Sequence, residues 1–562
     1  MKEDIFASYL KKITSSREPE RVVSRETGFS GETEQSRYSQ HAGEAEARCY
    51  PGVQGDILSA LRDISSKLDR FSAGFNTESS AAAAPVMSAG EPIMSAGTPA
   101  TKSVYPALSA RDSQIMDMVI SGGKVVIPGN GIFELDVYVK DGKIASIGKQ
   151  NMKAAEVIDA AGKYVIPGII DPHVHMGLFV PFEEDLKSET KSAALGGITT
   201  VGCFIGGQSS HLETFPGISE KIENFSWVDF IPHLVISSET QAREIEQYIR
   251  RFGVTSFKLY MNGIPGMIPD VDDGFIMDVF DEIKKSGRKC VVCAHAENRY
   301  LVRRADRIMR EKYPQAGVET YSDTHPAMAE EEAVIRMSYL AEKAEVPVYF
   351  VHITSKDAVR RLTSLRIRNK YVNVETTSMY LSLSKQDEKG RNEFKMEPPF
   401  REKEDVDALW KALENGVIDT IGTDNTTITR QEKRSDGSMW DAVPGYPAEE
   451  THLASVLNEG VAKRGLPLEK LITHMTRKPA EMFGIYPKKG TPLPGSDADI
   501  VIVDMDKQRE VHASQLHSRS DFSVFEGKTL KGWPVTTIKG GRLIVRDGVF
   551  TGENPIGKCL RR

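Results

Sequence analysis

The chain has no apolar run of the ~18–20 residues needed to cross a bilayer, so its sequence offers no membrane partner. Its first stretch, "MKEDIFASYLKKITSS", breaks its apolar residues with charge and does not read as a secretory signal. A basic excess is missing too. The formal net charge over 562 residues is −7, which gives no reason to expect nucleic acid. Cysteine is scarce: the five (Cys49, Cys203, Cys290, Cys293, Cys559) are scattered, which suits a reducing cytoplasm. Cys290 and Cys293 form a C-x-x-C inside the apolar "KCVVCAHAEN". With no second pair nearby they read as core residues rather than a zinc or redox pair.

What is there is the composition of a globular protein, 40% hydrophobic and 27% charged, at a length that suits two or three domains. Residues 1–112 stand apart as an N-terminal extension of polar, low-complexity sequence with two short amphipathic helices. One puts Ile5, Phe6, Tyr9, Leu10 and Ile13 on a single face. The other, capped by Asp56, spaces Ile57, Leu61, Ile64, Leu68 and Phe71 by threes and fours. A flexible tether follows, with the repeat "VMSAGEP", "IMSAGTP". The extension reads either as a docking tail for a partner groove, as a self-associating segment, or as plain disorder.

Residues 113–167 alternate apolar and polar positions between glycine turns, as short antiparallel strands do, and the same style returns over 481–562. The two flanks are expected to form one β-sandwich around an insert at 168–480. That insert alternates strands and helices. Its eight strand candidates are "YVIPGIIDPHVH", "ITTVGCF", "FIPHLVIS", "TSFKLYM", "KCVVCAH", "PVYFVHIT", "YVNVETT" and "IDTIGTD". Eight such strands with intervening helices fit an α/β fold, a (β/α)8 TIM-like barrel.

Chemistry in such barrels gathers at the C-terminal strand ends. Those ends carry His173 and His175, then Lys258, His295, His352 and Asp424. Neighbours i and i+2 in a strand share a face, so His173 and His175 point the same way. One His-x-His is a weak signal, since strand-end histidines are often only hydrogen-bonded. Four imidazoles and a carboxylate at one mouth are a donor set for zinc or a similar cation.

With these residues in order, the sequence resembles the cyclic amidohydrolases, the dihydropyrimidinase and hydantoinase group of the amidohydrolase superfamily. The motifs are "DPHVH", "SFK", "HAEN", "VHITS" and "GTDN", supported by "ALGGITTV", "PPFR" and "KPAEMFGIYPKKGTPLPGSDADIVIVD". The resemblance covers roughly 115–550 and implies a binuclear metal centre, two divalent ions with zinc first among them. His173, His175 and Asp424 would bind one ion, His295 and His352 the other. Lys258, carboxylated by carbon dioxide, would bridge both as a carbamate. The implied activity is hydrolytic opening of a cyclic amide, imide or ureide ring by a metal-bridging hydroxide, with Asp424 moving the proton. The resemblance also implies a cytoplasmic homotetramer, and the extension resembles peptides that load enzymes into a bacterial microcompartment shell.

The match departs at the substrate positions. The family's tyrosine five residues after the lysine is Gly263 here, with Tyr260 the nearest substitute. The serine before "PPFR" is Glu397, the loop asparagine falls near Gly445, and the residue after the metal-binding aspartate is Asn425 rather than histidine. Tyr260, Glu397 and Asn425 are therefore the candidate substrate contacts. An allantoinase- or dihydroorotase-like activity, or a non-catalytic assembly protein on the same fold, are the competing readings.

Overall fold

A computed structural model of the chain describes residues 115–562 apart from Asn151 and Pro265. The expectations for residues 1–112, including partner docking and microcompartment loading, lie outside the described residues.

The eight strand candidates of the insert form parallel strands. They are β1 (Ile169–His175), β2 (Ile198–Ile205), β3 (Asp229–Val235), β4 (Ser256–Tyr260), β5 (Val291–His295), β6 (Val348–Phe350), β7 (Val372–Thr377) and β8 (Thr420–Gly422). Each pairs in parallel with the next. The ring closes through an interruption. β8 pairs with β7, the chain breaks stride at Thr423 and Asp424, and Asn425–Thr426 then pairs in parallel with Val174 and His175 of β1. "IDTIGTD" is thus half of a broken strand, and Asp424 stands at the break with φ 58°.

Helices cover the outside. They include α1 (Phe182–Leu195), α2 (His211–Phe225), α3 (Ile245–Phe252), α4 (Asp273–Lys285), α5 (Ala327–Ala344), α6 (Lys356–Arg366) and α7 (Lys403–Glu414). Local chemistry starts several of them. Ser210, Asp272 and Ser355 accept the backbone N–H groups of Leu212, Phe275 and Ala358 at the first turns of α2, α4 and α6. The barrel strands are buried on both faces, with helices outside and packed side chains within. On β4, Phe257 and Leu259 join the helix-facing core, while Ser256, Lys258 and Tyr260 alternate with them into the barrel.

The run "YVIPGIIDPHVH" is two strands, not one. Tyr164–Pro167 belongs to another sheet, and the chain changes sheets at Gly168. A side chain at Gly168 would collide with Thr199, so only glycine fits this crossing. The other sheet has seven strands drawn from both flanks. Its order is Val549–Phe550, Arg542–Arg546, Thr529–Lys539, Ile500–Glu510, Tyr164–Pro167, Lys124–Ile127, Gly131–Glu134. A four-stranded sheet from the leading flank alone packs on it through a shared core that includes Ile120, Val125, Val137, Ile500 and Ile538. The leading flank is not purely antiparallel, because Met116–Ser121 pairs in parallel with Ala154–Asp159. Among the described residues no helix is long and apolar enough to cross a membrane.

Candidate metal centre

The barrel brings the six strand-end residues together. His173 Nε2 and His175 Nε2 lie 3.0 and 3.1 Å from Asp424 Oδ1. The His173 ring stacks on His352 at 5.4 Å between centroids, and His352 Nε2 is 3.0 Å from His295 Nδ1. Lys258 Nζ lies over the Phe204 ring at 4.4 Å, and that ring packs edge-on against His173 at 4.6 Å. His352 has φ 43° and Asp424 φ 58°, a left-handed conformation that costs a non-glycine residue about 1–3 kcal/mol and gathers at functional positions.

Buried carboxylates that the motifs did not assign hold the rings. Glu375 Oε1 takes a hydrogen bond from His173 Nδ1 at 2.7 Å and from the His352 backbone N–H at 2.9 Å. Its other oxygen accepts from Tyr349 at 2.7 Å. Glu297 Oε2 lies 2.8 Å from His295 Nε2, and Oε1 lies 2.9 Å from His325 Nδ1. Asp171 accepts from the backbone N–H groups of His173 and Thr423, tying β1 to the broken strand beside Asp424. A carboxylate behind a ligating imidazole fixes its orientation and raises its basicity. Each carboxylate is a charged residue inside an apolar strand or its end, the one signal that could have marked it. "VNVETT" shows this for Glu375.

The electrostatics describe a place built for a cation. Burial opposes a charge on His173, but Asp424 and Glu375 outweigh it and push the imidazole up to about 9. Burial also pushes Asp424 upward, yet His173 and His175 outweigh that and hold it well below the carboxylate range. Burial, then His295, pushes His352 well down. Burial lowers Lys258 to about 8, and its ammonium nitrogen has no hydrogen-bond partner among the described residues. A fully buried amine with nothing to donate to is ill-placed as an ammonium.

The candidate substrate contacts fall differently. Tyr260 lies one inward position above Lys258, buried, 5.8 Å from the His295 ring. Gly263 has φ 68°, and a side chain there would meet the Asp270 backbone nitrogen at 2.6 Å, so the tight Ile264–Ile268 turn leaves no room for a tyrosine. Glu397 is half-buried and accepts the Tyr321 hydroxyl at 2.6 Å. Asn425 is fully buried, and its side-chain oxygen accepts the Ala448 N–H at 2.8 Å, so it holds the loop rather than facing open space. Gly445 packs against Thr426 in the same loop. Lys433 fixes that loop from beneath, donating to the carbonyls of Lys395, Val443 and Gly445 at 2.9, 2.9 and 2.6 Å. Cys290 and Cys293 are buried free thiols.

Comparison with known proteins shows the family. Residues 164–544 match the model of the Amidohydrolase family. An L-hydantoinase of Paenarthrobacter aurescens is 32% identical over 467 residues, covering 80% of this chain and 98% of the relative. A D-hydantoinase of Ralstonia pickettii is 33% identical, covering 80% and 99%. Among solved structures, a D-hydantoinase superposes with a TM-score of 0.75 at 31% identity, covering 80% of this chain and 99% of that one. A dihydropyrimidinase from Brevibacillus agri NCHU1002 superposes at 0.74 and 29%, covering 79% and 98%. With the family match extending from the strand before β1 to the last long strands of the sandwich, this chain belongs to the amidohydrolase family.

Proposed function

We infer that the chain hydrolyses the C–N bond of a cyclic amide, imide or ureide as a metal-dependent enzyme of the hydantoinase and dihydropyrimidinase kind. The observation that carries this is Lys258: a buried amine, unpartnered among the described residues, over the Phe204 ring that packs against His173 beside the other imidazoles and Asp424. His173, His175 and Asp424 would hold one divalent ion, and His295 and His352 a second, zinc being favoured by the nitrogen-rich donors. Lys258, carrying carbon dioxide as a carbamate, would offer an oxygen to each. When bound, the ions supply a water ionised near neutral pH and positive charge at the substrate carbonyl.

The chain's own residues do the rest. Asp424, anchored through its backbone N–H to the His173 carbonyl at 2.9 Å, takes the proton of the attacking water and delivers it to the leaving ring nitrogen. Burial, then Asp424, raises the Tyr260 phenol, so it stays protonated and can donate to the developing oxyanion. Glu397, with Tyr321, borders the substrate, and Asn425 holds the loop that carries Gly445. A homotetramer is the proposed assembly, by analogy with the family.

The test is a turnover screen with metal-reconstituted enzyme against hydantoins, dihydropyrimidines, dihydroorotate, allantoin and cyclic imides. Ring opening of at least one class, with about two metal ions per chain, is the expected result. A metal-loaded enzyme inert on all of them overturns the reading.

A further inference from the structure

We propose that the face of the barrel opposite its mouth carries a second binding site, one for a small molecule bearing phosphate or a similar multiply charged oxyanion. A cavity of about 480 Å³ opens there, where Gly253 ends α3 and Ser286 ends α4, just before β4 and β5 begin. Its volume suits a small-molecule ligand. Five arginines line it: Arg250, Arg251, Arg288, Arg561 and Arg562. The one acidic side chain in the lining is Glu246, 3.6 Å from Arg250.

In a chain of net charge −7 this is a local reversal of sign, and a concave surface focuses such a field. Helix ends explain part of it. Arg250 and Arg251 lie in the last turn of α3, where a cation answers the partial negative charge of the terminal carbonyls. That account does not reach Arg288, Arg561 or Arg562, which come from outside the helices. Among the described residues no side-chain carboxylate pairs with Arg251, Arg288 or Arg561. Arg288 spends one N–H on a main-chain oxygen of Arg562, a carboxylate oxygen in this sequence, at 3.3 Å, and so already answers one anion.

Arg562 forms the inner wall. Its guanidinium donates to the Phe483 carbonyl at 2.9 Å and to Ser256 Oγ at 3.0 Å, and its backbone N–H donates to the Gly253 carbonyl at 3.0 Å. Its Nε is buried and has no partner among the described residues, and this side chain anchors the cavity's inner edge to the barrel floor. Guanidinium forks suit oxyanions with two or more acceptors better than a halide. The site is separate from the reacting centre. Ser256 starts β4 at the barrel floor, and Lys258 lies two residues above it, about 7 Å along the strand.

The test titrates inorganic phosphate, and in parallel sulfate, into metal-loaded enzyme at constant ionic strength, followed by calorimetry. Saturable binding is expected, at least about tenfold weaker in the double variant Arg288→Ala/Arg561→Ala and partly restored by lysine at both positions. His352→Ala, which alters the candidate metal centre, should bind phosphate as the parent does. The double variant should open cyclic amides with kcat/KM within about twofold of the parent, which shows that it folds and separates this proposal from the hydrolase reading. No saturable binding, equal affinity in the double variant, or loss of binding in His352→Ala overturns it.

Discussion

Among the described residues, two clusters bring three potential ligand atoms within 4.8 Å of one another: His173, His175 and Asp424 at the mouth, and Asp229, Asp497 and Asp499 between β3 and the sandwich. Spacing alone does not separate them. Their cations do. In the second cluster Lys489 Nζ lies 2.7 Å from Asp229 and 3.2 Å from Asp497 and also bonds Asp499, while Lys539 reaches Asp229 at 2.8 Å. Burial disfavours the Lys489 charge, but the three carboxylates outweigh it and raise the amine above its ordinary value. At the mouth the equally buried Lys258 is pushed the other way, to about 8. One lysine is the cation its carboxylates need. The other has no carboxylate within hydrogen-bond reach among the described residues, and the carboxylate at the mouth lies against imidazoles instead. A donor cluster thus reads as a candidate metal centre when its lysine is not bonded to its carboxylates.

Exchanging the two lysines' fates breaks or sharpens that contrast. Lys258→Ala should lower kcat/KM for ring opening by roughly a thousandfold or more, with metal content falling in parallel, because several kcal/mol of transition-state stabilisation depend on the filled centre. Lys489→Ala should leave turnover per folded molecule close to the parent's. If both variants lose activity equally without unfolding, the distinction fails.

Stability should show the opposite order. Removing Lys489 leaves three buried carboxylates with Lys539 alone, a loss of about 3–5 kcal/mol in urea unfolding of the metal-free chain. Lys258→Met removes a buried charge that burial disfavours more than Asp424 and Glu375 favour it, and should stabilise the metal-free chain. A destabilised Lys258→Met would mean that this amine has a partner in solution.

The same lysine predicts a pH dependence. Its pKa is about 8 folded, against ~10.4 unfolded. Below pH 8 both states are protonated and the full penalty of the buried charge is present. Between 8 and ~10.4 the unfolded chain holds the extra proton, so unfolding becomes harder as pH rises. Metal-free enzyme in carbon dioxide-free buffer should gain roughly 3 kcal/mol across that window relative to Lys258→Met, measured as the difference between their denaturation curves.

The contrast also explains what could be read in advance. His173, Lys258, His295, His352 and Asp424 were legible because each lies within two residues of a barrel strand's C-terminal end, and barrel topology brings those ends together. Glu375 was not, because its bond to His173 spans 202 residues and nothing in "VNVETT" names the partner. The change of sheet at Gly168 was hidden because both halves of "YVIPGIIDPHVH" are equally buried, and apolar periodicity cannot tell one buried strand from two. The break in the last barrel strand was hidden for a related reason. Asp424 has a left-handed backbone that a non-glycine residue adopts only when its surroundings impose it. Here the surroundings include the Asp171 bonds to Thr423, from a neighbouring strand 252 residues away in sequence.

The smallest expected effect lies one step behind the candidate metal ligands. Glu297 joins His295 to His325, and His325 approaches the Tyr321 hydroxyl that bonds Glu397. Burial pushes Glu297 upward, but His325 and His295 outweigh it and keep the carboxylate ionised. A carboxamide keeps the shape but offers one acceptor where the carboxylate offers two, so one of the two imidazoles loses its partner. Glu297→Gln should weaken metal retention by about 10–100-fold, read as the chelator concentration that strips half the metal. With metal in excess, kcat should recover most of its value, because Glu297 orients a ligand and does not touch the ring that opens. A variant that retains metal normally yet loses kcat would instead put Glu297 in the reacting centre, with His325 and Tyr321 behind it.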